Sequence, residues 1–133
     1  MSSLIAKVSA IENCDSLHIV KFDFYGDTLS MMSLDLDNTI ALGTEVKLII
    51  KPSHIAIAKN FSGDVSYANR LTTTIISIEN GQLLSSLKLQ FRDTLLESII
   101  TRNSSDRMNL QVGEKVTALI KASEISIGEI ING

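Results

Sequence analysis

Apolar and polar residues alternate along much of this chain with the period of a β-strand. Leu87, Leu89 and Phe91 fall on one face of residues 87–91, and Val20, Phe22 and Phe24 do the same in residues 20–24. Residues 46–51 and 116–121 are short runs rich in β-branched side chains. Just beyond them, Ile55 with Ile57 and Ile125 with Ile127 share a face, which predicts strands over 53–57 and 123–127. Residues 72–78 form a further strand signal ending at Asn80-Gly81, a hairpin turn pair, and residues 5–11 end likewise near Asn13-Cys14-Asp15. The helix signals are short. Asn103 or Ser104 can cap a turn near 104–110, and Asp35 or Asp37 can cap one near 35–41.

These elements come in two sets. Gly43, Val46, Ile50, Lys51, Ser53, Ile55 and Ile57 are matched by Gly113, Val116, Ile120, Lys121, Ser123, Ile125 and Ile127. Ile11-Glu12-Asn13 answers Ile78-Glu79-Asn80, and Ser30-Met31-Met32-Ser33 answers Ser98-Ile99-Ile100-Thr101. A unit of about 65 residues is therefore used twice. The polar stretch 60–64 places the boundary, giving modules 1–62 and 63–133. About five strands and one short helix per module predict an all-β protein of two tandem five-stranded OB-like barrels.

Composition sharpens this picture. The chain is 44% apolar but only 5% aromatic, so Ile, Leu and Val must build the core. Modules this small bury only about 60% of their unfolded surface. Cys14 is the only cysteine, so no internal disulfide can compensate, and a homo-oligomer is expected. The N-terminal residues do not resemble a signal peptide, no run approaches the roughly 18 apolar residues of a membrane span, and the lone thiol fits the cytoplasm. A net charge of −3 and the lack of aromatic stacking residues argue against nucleic acid as partner.

Three segments in the second half point to a family. They are Ser98-Ile99-Ile100-Thr101-Arg102-Asn103-Ser104, Leu110-Gln111-Val112-Gly113, and Ile120-Lys121-Ala122-Ser123. They resemble the molybdate-binding Mop or TOBE module of the molbindins, and the whole chain looks like a tandem, two-module molbindin. The resemblance implies OB-like barrels that bind molybdate, and usually tungstate, at module or subunit interfaces, with no covalent cofactor, no bare metal site and no reaction catalysed. It leaves the number of subunits open; a homotrimer is preferred. Carried over residue by residue, it assigns Thr101 and Ser104 to a hydroxyl loop and Lys121, Ala122 and Ser123 to a lysine segment. Ser33, Lys51 and Ser53 are their first-half counterparts. A dianion needs donors, and hydroxyls, backbone N–H groups and an ammonium supply them.

The chain departs from the family pattern at its module start, where S-A-R-N-Q is usual. Asn69 fits within Ser66-Tyr67-Ala68-Asn69-Arg70, but Ala68 replaces the arginine, and Arg70 on the same strand face is the expected substitute. Pro52 lacks the backbone donor that Ala122 keeps, and Asp35 and Asp37 would repel an anion, so unequal sites are expected. Cys14, His18 and His54 show no spacing that suggests chemistry, and the acidic run 35–38 lacks the features of a cation loop. Two rival readings remain at this stage: an OB-type nucleic-acid binder, and a regulatory oxyanion-responsive module acting through a partner protein.

Overall fold

In the computed structural model, which describes residues 2–133, ten strands form two five-stranded sheets. The first half contributes β1 (Ser2–Cys14), β2 (Leu17–Phe24), β3 (Asp27–Ser33), β4 (Glu45–Ile50) and β5 (Ala56–Ala58). The second contributes β6 (Asn69–Asn80), β7 (Leu84–Phe91), β8 (Thr94–Thr101), the helix α1 (Arg102–Arg107), β9 (Lys115–Ile120) and β10 (Ser126–Asn132). The alternation read from the sequence is the burial pattern observed: Val20, Phe22 and Phe24 are buried, as are Leu87, Leu89 and Phe91.

In each half the long first strand serves two neighbours. Residues 2–7 of β1 pair with β4, and its remainder pairs with β2 across an irregularity between Val8 and Ala10. The equivalent break in β6 lies between Ile75 and Ser77. A bulge bends a strand and raises its twist, which is what curling a small sheet toward closure requires. Gly43 and Gly113 serve these bends. Both have positive φ, and their N–H groups donate to Val8 O and Ile75 O, each at 2.8 Å. A left-handed backbone there suits glycine, hence its recurrence in both repeats.

The repeat did not reveal which sheet receives each last strand. The strand orders are β10-β4-β1-β2-β3 and β5-β9-β6-β7-β8, so β5 crosses to the second sheet and β10 to the first. Ala56 pairs with Leu119, and Ile127 with Leu48. The Ser98 hydroxyl on β8 donates to Ile55 O at 2.6 Å, tying the crossed segment to the far edge of the second sheet. The buried apolar residues of both halves form a single continuous cluster, Ile55 and Ile125 included. Repeat-equivalent residues meet at two places, Phe24 stacked on Phe91 with ring centroids 5.5 Å apart and His54 against Glu124 at 2.8 Å. Contacts between equivalent positions are what a local twofold relation between the halves produces.

Three local expectations need correction. No helix forms at 35–41; the Asp37 carboxylate instead accepts the Thr39 N–H at 2.8 Å and its hydroxyl at 2.7 Å, closing a tight turn. This connection is two residues shorter than its counterpart, too short for a helical turn plus its exit. The second-half helix starts at Arg102 rather than 104, because Thr101 is its cap, accepting the Ser104 N–H at 3.1 Å. The strands expected from 53 and 123 begin later. Residues Pro52–His54 and Ala122–Glu124 form 3-10 turns, in which His54 N–H donates to Lys51 O and Glu124 N–H to Lys121 O, both at 2.9 Å.

Lys59, just past β5, anchors the linker to the second half. Its ammonium donates to Met108 O at 2.9 Å and Asn109 O at 3.1 Å, and pairs with Glu114 at 3.0 Å. That lysine, with the Gln111 N–H, holds the Glu114 carboxyl below its usual range.

Candidate oxyanion site

Asn69 and Arg70, expected to help hold an anion, do other work. The Asn69 side chain is fully buried: its Oδ1 accepts Ser30 N–H at 2.7 Å, and its amide donates to Ser30 O at 2.9 Å and Ile120 O at 3.1 Å. It joins the two sheets rather than lining a cleft. Its repeat counterpart Ser2 is also buried, and its hydroxyl accepts Glu97 N–H at 2.8 Å. Replacing Asn69 by alanine strands buried polar groups, each costing about 1–3 kcal/mol. The expected result is a stability loss of about 2–3 kcal/mol in urea titration. Arg70 lines a separate cleft with Asp27, Thr72 and Arg92, away from Thr101, Ser104 and Lys121.

Thr101, Ser104 and Lys121 do converge. They line a cleft of about 360 Å³ together with Ser53 of the first half. The crossing of the chain explains this mixture, since the 3-10 turn carrying Ser53 leads into β5 on the second sheet. The Thr101 hydroxyl lies 2.9 Å from the Ser104 hydroxyl, so both oxygens face one small volume. Ala122 follows Lys121 at the first position of its turn, where an N–H has no partner within the turn. Three further residues, which sequence reasoning did not select, line the same cleft: His54, Tyr67 and Glu124. The available signal was that His54 and Glu124 occupy one repeat position with opposite chemical character.

The remaining first-half candidates do not meet. Ser33 lines a cleft of about 530 Å³ with Ser123, Asp35, Asp37 and Glu129, and no Lys or Arg lines it. The Ser33 hydroxyl already donates to Asp35 O at 3.1 Å. Hydrogen bonds from Thr39 hold the Asp37 carboxyl below its ordinary value. Lys51 lies elsewhere, in a groove of about 310 Å³ with Ser123, His54 and Glu124. Among the described residues no cluster of three or more His, Cys, Asp or Glu could hold a metal ion, and no helix is long and apolar enough to cross a membrane.

Two OB-like sheets exchange their last strands, and hydroxyls and one lysine line a common cleft with the donors a small anion needs. Residues 66–127 match the TOBE domain. The solved structure of the cytoplasmic molybdate-binding protein ModG, with molybdate bound, superposes with a TM-score of 0.88 at 25% identity, covering 96% of this chain and 94% of that one. The molybdenum-pterin-binding protein MopA of Rhodobacter capsulatus is 32% identical over 88 residues, 65% of this chain. The molybdenum import ATP-binding protein ModC of Brucella abortus (strain 2308) is 29% identical over 108 residues, 80% of this chain. This chain spans only 29% of the Brucella protein and 33% of the Rhodobacter protein. Residues 66–127 thus carry a TOBE domain, and over its whole length the chain is similar to a molbindin of the Mop/TOBE type.

Proposed function

We propose that this protein reversibly binds molybdate or tungstate in the cleft formed by Thr101, Ser104, Lys121 and Ser53, and so stores, buffers or senses the oxyanion in the cytoplasm. The observation that carries the reading is the convergence of three hydroxyls and an ammonium on one cleft drawn from both halves. Charge-assisted hydrogen bonds are the strong ones; the Ser104 and Ser53 hydroxyls and the Lys121 ammonium can donate to the anion directly, while the Thr101 hydroxyl donates to Ser104 Oγ and orients it. Tetrahedral dianions of similar size differ little in what such a donor set can distinguish, so molybdate and tungstate are both expected ligands. The likeness to ModG along nearly its whole length supports the oxyanion and the compartment. The homo-oligomer, with a trimer preferred, rests on exposed apolar residues such as Leu83 and Leu84.

The test is isothermal titration with molybdate, tungstate and sulfate, paired with light scattering. Heat with the first two and a mass above 14.5 kDa are expected. Absence of heat with both would overturn the reading. The match to an import ATPase favours one second reading, an oxyanion-responsive module acting on a separate partner protein. A pull-down that recovers a partner only with molybdate present would select it.

A further inference from the structure

His54 stands where the two halves meet, and the binding reading above gives it nothing to do. Its Nδ1 lies 2.8 Å from Oε2 of Glu124, its own repeat counterpart, and both side chains are about one third exposed. Facing a carboxylate, Nδ1 must carry a hydrogen, which leaves Nε2 of the neutral ring without one. The ring also lines the cleft of Thr101, Ser104 and Lys121. The titratable groups around it are Glu124 and Lys121 from the second 3-10 turn and its start, Tyr67 from the segment before β6, and Lys51 in the adjoining groove. The residues that β8 and α1 contribute to the lining, Thr101 and Ser104 among them, are neutral, and behind them Arg107 of α1 donates to Ser104 Oγ at 3.3 Å.

The charge balance of this cleft is the point. Lys121 and Glu124 cancel, so with neutral His54 a dianion would enter a lining of no net charge. An imidazolium there supplies both a positive charge and a second N–H donor. A dianion bound beside an imidazole favours its charged form. We propose that His54 is a further ligand of the oxyanion, contributed by the first half, and that binding takes up one proton at its Nε2 from solvent. The metal of such an anion lies inside its oxygens, so the contact is from N–H to oxygen. This inference rests on the oxyanion reading and adds a proton linkage to it.

Molybdate titrations between pH 6 and 8.5, in buffers of different ionisation enthalpy, test it. The wild type is expected to take up close to one proton per anion bound in this cleft at the upper end. Its affinity should fall by about tenfold per pH unit once the imidazole is neutral in the free protein. His54→Gln should remove the proton uptake and flatten the profile, with pH 6 binding weakened to about the wild-type level at pH 8.5. Glu124→Gln should tighten binding at pH 8.5, since a carboxylate lining the cleft is gone. Retained binding with a flat wild-type profile would sink the proposal, as would an unchanged slope in His54→Gln. Absence of heat at every pH removes the oxyanion reading, and this proposal with it.

Discussion

Lys121→Ala is expected to weaken molybdate binding by about tenfold to somewhat over a hundredfold, the loss of one charge-assisted contact worth about 1.5–3 kcal/mol. Lys51→Ala is expected to cost at most about fivefold, the effect of an exposed charge acting at a distance. The two lysines occupy identical places in the repeat, so the difference is purely one of surroundings. Lys121 shares its cleft with the Thr101, Ser104 and Ser53 hydroxyls. Lys51 lies apart from Ser33, in a groove that also holds Glu124. The Ser33 cleft is lined by Asp35, Asp37 and Glu129, and the Thr39 bonds favour the Asp37 carboxylate further. Bringing a dianion against ionised carboxylates is unfavourable, and there is no cation among the lining residues to offset them. Titration calorimetry on the two variants decides the matter; equal losses would mean that both lysines reach bound anion.

Fragments 1–62 and 63–133 are expected not to fold as monomers, although each contains one whole repeat. The first would keep β5, whose pairing partner β9 lies in the other fragment, and would lose β10 from the edge of β4. Ile55 and Ile125, only 1% and 2% exposed, would each lose the shared core they fill. Burying a side chain of this kind contributes about 1.5–3 kcal/mol, a large share of what so small a module has. Because β5 and β10 are repeat equivalents, fragment 63–133 can satisfy its own β9 only by exchanging strands with a second copy. Circular dichroism and light scattering should therefore find unfolded chains or a folded dimer, with structure regained when the two fragments are mixed. A folded monomer of either fragment would refute the requirement for exchange.

Much of this arrangement was legible in local pattern. The alternation in 20–24 and 87–91 placed β2 and β7, because a half-buried strand imposes a period of two on its own residues whatever it pairs with. Asn80-Gly81 marked a real reversal, where Gly81 N–H now donates to Leu84 O at 2.7 Å. The repeat announced two sheets of the same design, and Thr101, Ser104 and Lys121 were named before they were seen to converge. Such signals are carried by residues within a few positions of one another.

What the tertiary structure alone decided involves partners distant along the chain. The segments after Lys51 and Lys121 read almost alike, so pairing with the near sheet or the far one is equivalent in local pattern. The 3-10 turns redirect the chain, and that choice puts Ser53 rather than Ser123 beside Thr101. Asn69 reads as a polar strand residue, yet it is buried, because its amide bonds backbone groups of Ser30 and Ile120 that only the folded sheets bring to it. His54 and Glu124 each look isolated in sequence. They become a pair only because two equivalent turns meet between the halves, where the folded contact sets their chemistry.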